Sequence, residues 1–244
     1  TPNRFLVRNF SLFCSLLIVL FFSVGKGWGQ VTVTNPGNTT PAMSSTYASL
    51  ALAIADVNNR TAISGPVTIT LDPSTPQTAP VGGYSLTNVS ITGASDINRF
   101  IFDGGGNTIT AGVGLNTTTD AFFKIIGADF ITIQNFILTE SAGNTTTTTQ
   151  IEWGVALLYS STTNGAQNNI IQNNTITLNR SNPNSVGVYS NSTHTATAVT
   201  TSATATGTSG GNSGLKVYGN TISNVNMGIV VVGPTAVADA NTGI

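Results

Sequence analysis

The chain has very few charged side chains and no basic cluster beyond its first segment. Charged residues make up 7% of the 244, and the formal net charge is −1. Beyond residue 29 there are five basic and nine acidic side chains, spread singly along the sequence. Because recognition of a phosphate backbone needs a basic patch, nucleic acid is excluded as an expected partner.

The only cysteine of the chain, Cys14, lies within an N-terminal apolar run. Arg4 and Arg8 precede this run, and the sequence GWG at 27–29 places small residues at the two positions that a signal peptidase reads. The run is shorter than the ~20 apolar residues of a membrane span, and no basic cluster follows it. Residues 1–29 are therefore predicted to be a signal peptide, and the mature chain is predicted to be a secreted protein with neither cysteine nor membrane span.

A short phrase recurs four times in the sequence. Its forms are FDGGGNTIT from Phe102, FITIQNFILTE from Phe130, IQNNTITL from Ile171 and VYGNTIS from Val217. The asparagines that mark these phrases, at positions 107, 135, 174 and 220, are 28, 39 and 46 residues apart. A constant phrase with insertions of variable length between its copies is typical of stacked repeats.

The alternation of apolar and polar residues within the phrase predicts short strands. Ile131, Ile133 and Ile137 are expected to point inward, and Thr132 and Gln134 to face water. The marker asparagines are predicted at sharp turns, because Asn tolerates the left-handed conformation, and stacked copies could exchange amide hydrogen bonds. We therefore expect an all-β fold, a right-handed parallel β-helix.

The sequence before the repeats predicts a helix that caps one end of the stack. Residues 46–57 carry an approximate helical stripe of apolar residues, with Ser44, Ser45 or Thr46 available to cap its start. The preceding residues, 30–45, are rich in Thr, Asn, Pro and Gly and are predicted to be a leader that joins the signal peptide to the fold.

Residues 46–244 are predicted to form the N-terminal portion of the β-helix. Two polar insertions, 141–150 and 191–213, are expected to be mobile loops or short sheet extensions on one face. No closing element precedes Ile244, so we expect the natural protein to continue beyond it.

The helix TYASLALAIADVNN, the segment ISGPVTITL and repeats such as FITIQNFILTE and NNIIQNNTITL together resemble a known group. They are similar to the N-terminal part of large secreted right-handed β-helix surface proteins, which are exported by the type IX system and end in a sorting domain. The resemblance implies a bacterial cell-surface location. Wider relatives share the pectate-lyase-like β-helix, which hosts lyases, hydrolases, adhesins and tail spikes, so the fold alone does not decide the function.

The acidic residues of the repeats show no paired catalytic motif. Hydrolysis of a glycosidic bond needs two carboxyls roughly 5 to 9.5 Å apart. The candidates are Asp103, Asp129, Glu140 and Glu152. Asp103 is interpreted as a turn residue and Asp129 as a loop residue, while the two glutamates beside the first insertion are expected to be solvated.

A lyase site would need a basic residue and acidic ligands for calcium, and the sequence places no acidic cluster beside Lys124, Arg180 or Lys216. These three are interpreted as solvated charges on strand faces. His194, the only histidine, is interpreted as an incidental loop residue, and the glycines at 104–106 lack the lysine and helix of a phosphate-binding loop. We predict no catalytic, cofactor-binding or metal site in this chain, and no cofactor.

These patterns favour a non-enzymatic surface module. Its expected partner is an extracellular polysaccharide or another cell surface, contacted through a long, weakly polar strand face and the two insertions. The alternative is a polysaccharide lyase or glycoside hydrolase whose active residues lie beyond Ile244. Ice binding is disfavoured, because the repeats vary in length and the threonines are concentrated in the insertions.

Overall fold

The computed structural model describes residues 30–88, 91–115, 119–191 and 207–233. The predicted signal peptide and His194 lie outside these residues. The described chain is mostly strand, with one α-helix, α1 (Leu50–Val57), and one short 3-10 helix (Pro36–Asn38). The strands before the first recurring phrase are β1 (Val31–Thr34), β2 (Thr39–Thr40), β3 (Thr46–Tyr47), β4 (Ala62–Ile63), β5 (Val67–Leu71), β6 (Gln77–Thr78) and β7 (Tyr84–Leu86). The later strands are β8 (Phe100–Asp103), β9 (Thr108–Thr110), β10 (Ala121–Ile126), β11 (Ile131–Gln134), β12 (Ile137–Thr139), β13 (Trp153–Leu158), β14 (Ile170–Gln172), β15 (Thr175–Thr177), β16 (Val186–Asn191), β17 (Lys216–Tyr218), β18 (Thr221–Ser223) and β19 (Met227–Val232).

Most of the strands lie in three sheets. Sheet 1 has the order β17-β14-β11-β8-β5-β1-β3, sheet 2 has β19-β16-β13-β10-β7, and sheet 3 has β18-β15-β12-β9-β6. From β5 onward all pairing within these sheets is parallel, and each strand pairs with the strand three places later. We call the five sets β5–β7, β8–β10, β11–β13, β14–β16 and β17–β19 repeats 1 to 5. The predicted strand-rich class and its parallel pairing are confirmed.

The core lies where the inward side chains of the three sheets meet. Ile133 of sheet 1, Leu138 of sheet 3 and Val155 of sheet 2 are fully buried in one continuous apolar cluster. Two predicted orientations are wrong: Ile137 is half-buried and Thr132 is buried. A turn separates β11 from β12, so the alternation restarts after it and the residues that follow point inward as Phe136 and Leu138.

The turn between the sheet 1 strand and the sheet 3 strand has two residues in repeats 3, 4 and 5. The turns are Asn135-Phe136, Asn173-Asn174 and Gly219-Asn220. The first residue of each turn is left-handed, with φ of 59°, 55° and 67° respectively. The marker asparagines therefore occupy two different positions. The left-handed prediction is right for Asn135 and wrong for Asn107, Asn174 and Asn220, each of which directly precedes its sheet 3 strand.

The segment predicted to be a leader, 30–45, is part of the folded structure. Its strand β1 pairs antiparallel with β5, and Val31 and Val33 are buried. The Arg60 guanidinium fixes the rest of the segment by donating to the carbonyl oxygens of Pro41 (2.6 Å) and Ala42 (3.0 Å). Because β1 alternates over only four residues, its pattern is too short to stand out from the surrounding turn residues.

The predicted helix is shorter than expected, since α1 begins at Leu50. Ser49 is its N-cap, and the Ser49 side chain accepts a hydrogen bond from Leu52 N. Thr46 and Tyr47 instead form β3, which extends sheet 1 beyond β1. The apolar stripe of α1 packs against β7, the first strand of sheet 2. In the described ranges no helix has the length and hydropathy needed to cross a membrane.

The first insertion, 141–150, contains no strand but is firmly bound to the fold. Asn144 Nδ2 donates to the Gly112 carbonyl oxygen at 2.8 Å, and Gln150 is buried. The second insertion begins at Asn191, which is the last residue of β16, and residues 192–206 lie outside the described chain. Gln167 holds the part from 207, because its Nε2 donates to Thr208 O at 2.7 Å. Amide side chains anchor residues 141–150 and the described part of the second insertion from 207, so polar composition does not indicate mobility in those residues.

Candidate functional site

Two acids, Asp120 and Glu152, lie side by side just before β10 and β13, and Lys124 lies further along β10 within their electrostatic influence; we call these three residues the acid–lysine cluster. Asp120 and Glu152 each precede a strand, and the pairing of Ala121 with Trp153 places the two acids at equivalent positions in adjacent repeats. Both acids are 0% exposed, and Lys124 on β10 is 9% exposed. The parallel register therefore gathers groups that lie 32 residues apart in the sequence.

The two carboxylates of the cluster bind main-chain and amide donors. Glu152 Oε2 accepts from Asp120 N at 3.0 Å, and Oε1 accepts from Asn182 Nδ2 at 3.2 Å. Asp120 Oδ2 accepts from Leu115 N at 2.6 Å. The acids thus link repeat 2 to repeat 3 and hold the loop that precedes β10. Such contacts stabilise buried acceptors that would otherwise be costly.

Burial dominates the electrostatics of the cluster. It raises the pKa of Glu152 to about 7, and the negative charge of Asp120 adds to the rise. Burial also lowers the pKa of Lys124, although the two nearby acids oppose this. An acid with a raised pKa near an amine with a lowered pKa is a property of many catalytic sites and also of structural networks.

Both carboxylates of the cluster are shielded from solvent, and the strand that follows Glu152 begins with the aromatic residue Trp153. The rings of Trp153 and Tyr189 stack on adjacent strands of sheet 2 with centroids 4.3 Å apart and planes 7° apart. Ala156 and Leu158 pack in the same apolar group, apart from the main core. Since both carboxylates are fully buried, a sugar ring cannot contact them in this conformation.

The structure places the other predicted acids apart from the cluster. Asp103 ends β8 rather than lying in a turn, although its Oδ1 accepts from Gly105 N of the following turn at 2.8 Å. Asp129 Oδ1 accepts from Gln167 N at 2.6 Å, and burial raises its pKa to about 6. Each of these two acids therefore supports its own loop.

The solvated states predicted for three residues are wrong. Glu140 is half-buried: its Oε1 accepts from Asn144 Nδ2 and its Oε2 from Ile151 N, both at 2.8 Å, and burial raises its pKa. Glu152 and Lys124 are buried in the cluster. Arg180 and Lys216 are exposed, as predicted.

Sequence reasoning missed Asp120 altogether. The available signal is that both Asp120 and Glu152 stand directly before a strand of six residues with similar apolar content, but this is visible only once β10 and β13 are aligned. Within the described ranges, no group of three or more His, Cys, Asp or Glu side chains could hold a metal ion.

A second candidate surface is the outer face of sheet 1. Gln134 Nε2 donates to Asp103 Oδ2 at 2.8 Å, and Gln172 Nε2 donates to Gln134 Oε1 at 2.6 Å. The same row continues to Tyr218, which is 51% exposed. We call Asp103, Gln134, Gln172 and Tyr218 the amide row.

A shallow groove of about 370 Å³ lies beside the amide row, at the turns that lead to sheet 3. Its lining includes Asn135, Ile137 and Thr175. Polar and apolar atoms both face this groove, and none of its lining residues is charged.

Comparison with known proteins identifies no relative: no family model, no curated protein and no solved structure matches this chain.

Proposed function

We propose that this chain is a right-handed parallel β-helix that serves as a secreted, cell-surface scaffold and contacts extended glycans or another cell surface. The resemblance to β-helix surface proteins exported by the type IX system belongs to the same proposal. Its support in the fold is the order of the strands, which return to the same three sheets through five repeats. Its support in the sequence is the predicted signal peptide.

The amide row is the observation that carries the glycan contact. Parallel strands repeat their outward side chains at about 4.8 Å, so the row presents amide groups as a line along the stack. Amides bind sugar hydroxyls through hydrogen bonds, and an exposed tyrosine ring such as Tyr218 stacks on the apolar face of a sugar. The row contains a single acidic side chain, Asp103, which Gln134 binds, so the proposed binding is weakly sensitive to salt.

The purified protein, measured on a glycan array and on immobilised polysaccharides, tests this proposal. Tyr218→Ala and Gln172→Ala should each weaken binding, while Arg180→Ala, at an exposed turn, should not. Binding should change little between low and physiological salt. Failure to bind any glycan or cell surface, or equal loss in the Arg180→Ala control, would reject the amide row as a binding surface.

The competing function is a polysaccharide lyase or hydrolase, and the acid–lysine cluster is the observation that favours it. The raised pKa of Glu152 would suit a general acid near neutral pH. Full burial of both carboxylates argues against it. Release of unsaturated sugars or reducing ends by the purified protein, lost in Glu152→Gln, would establish the enzyme in place of the scaffold.

A further inference from the structure

The outer face of sheet 3 carries threonine at almost every position. Four strands align without a break, and their outward side chains form two rows. Together with β6, these rows hold seven threonines, one serine and one isoleucine: Thr108, Ile137, Thr175 and Thr221 in the first row, and Thr78, Thr110, Thr139, Thr177 and Ser223 in the second. We call these nine residues the threonine face. Threonines are dense in the insertions, as the sequence shows, but the strands of sheet 3 carry this separate array as well.

The composition of the threonine face is not a general property of outward strand positions in this protein. The equivalent positions of sheet 1 include Asp103, Gln134, Lys216 and Tyr218, so the same parallel pairing tolerates charged, amide and aromatic side chains there. β-Propensity favours threonine on any strand, yet it would act equally on both sheets. The uniform, uncharged surface is specific to sheet 3.

The threonine face is also regular and firmly supported. Strands β9, β12, β15 and β18 each have three residues, although the phrases that contain them are 28 to 46 residues apart. The insertions therefore leave this sheet uninterrupted. Behind the face, Ile109, Leu138 and Ile176 are fully buried in the core. At one edge Thr177 and Ser223 hydroxyls lie 3.0 Å apart, so adjacent strands hold each other's side chains in place.

We propose that the threonine face binds ice. Its side chains repeat at about 4.8 Å between strands and at about 6.6 Å between alternate residues of one strand, a two-dimensional pattern close to that of the oxygen atoms on faces of hexagonal ice. Each threonine offers a hydroxyl that bonds to water and a methyl group beside it. The face has no charged side chain, which suits the uncharged water lattice, since charged groups bind water in their own geometry. This proposal uses a different surface from the amide row and does not depend on glycan binding.

Thermal hysteresis and inhibition of ice recrystallisation by the purified protein test this proposal. Thr139→Lys and Thr177→Lys each place a charge on the face and should remove most of the activity. Gln172→Lys makes a similar change on sheet 1, in the same repeat as Thr177, and should retain it. Circular dichroism and the melting temperature of each variant show whether it has folded.

A finer pair of variants separates the contributions of the methyl and hydroxyl groups. Thr177→Val keeps the shape of threonine and should retain more activity than Thr177→Ser, which loses the methyl group. Absence of ice activity in the wild-type protein overturns the proposal, and so does equal loss in folded Thr177→Lys and Gln172→Lys. Glycan binding measured on the same variants should be unchanged by Thr177→Lys, so the two proposals can fail separately.

Discussion

Asn174 should contribute more to the stability of the stack than any exposed turn residue beside it. Its side chain is 1% exposed. Oδ1 accepts from Phe136 N, while Nδ2 donates to Ile133 O and to Asn220 Oδ1, each at 3.0 Å. Asn174→Ala removes all three bonds and takes away the side-chain partner of the buried Phe136 N–H. A buried donor that loses its partner costs about 1–3 kcal/mol, so we expect a total loss of roughly 2–4 kcal/mol in the free energy of unfolding.

Urea unfolding, followed by circular dichroism, measures this loss. Asn174→Asp keeps the acceptor for Phe136 N but buries a carboxylate oxygen against two acceptors, Ile133 O and Asn220 Oδ1, so its loss at neutral pH should exceed that of Asn174→Ala. The control is Asn173→Gly. Asn173 is exposed and left-handed, and Gly219 already occupies the equivalent position in the next repeat, so glycine should be nearly neutral there. An Asn174→Ala variant within about 0.5 kcal/mol of wild type, or a loss of equal size in Asn173→Gly, would refute the reasoning.

Two further predictions concern local strain and pH. Phe130 has φ of 55° at a position that Asn168 and Gly214 occupy in the next repeats. The Phe130→Gly variant should therefore be more stable than Phe130→Ala by about 1 kcal/mol, whereas in an ordinary strand alanine is the more stable of the two. The melting temperatures of the two variants test this order. The pKa of Glu152 is raised from its ordinary value of 4.5 to about 7, so between these values the folded state holds more protons than the unfolded state. The protonated Glu152 therefore favours the folded state, and this contribution to stability is complete below pH 4.5 and is lost as the pH rises through 7. The loss in the free energy of unfolding is up to about 3 kcal/mol. Glu152→Gln should flatten the dependence of the urea midpoint on pH between pH 4 and 8. An equally steep fall in that variant would contradict the role of Glu152 in the pH dependence.

The sequence predicts the repeating strands well, because inward positions must be apolar in every repeat. Ile131 and Ile133 are buried as expected, and the recurring phrases pair with one another in parallel. The register across the turn was harder to predict. Asn135 and Asn174 look equivalent when the letters NFI and NTI are compared, but the pairing of Ile137 with Thr175 shows that they are offset by one residue. The composition of the sequence shows where a tight turn lies. The exact residues at which the strands end and restart depend on which turn residue is left-handed, and composition does not show this.

The buried ionisable groups could not be found from local sequence for a related reason. Glu152 follows a threonine-rich segment, which predicts solvent exposure, and Asp120 stands 32 residues earlier in an unremarkable context. Their burial depends on the loops that fold over the ends of β10 and β13 and on the amide of Asn182. Loop packing of this kind involves contacts between residues distant in sequence, and periodicity carries no information about it.

The contrast between outward faces is the main reason to assign separate roles to the sheets. In sheets 1 and 3 burial alternates along the strands, so outward residues are free to vary so long as they tolerate a strand. On sheet 1 they do vary, from Thr68 to Lys216 along one row. On sheet 3 they stay almost constant, although the connecting segments change length between every pair of repeats. A requirement of folding alone would act on both sheets, so the constancy of sheet 3 supports the ice contact that we propose for that face.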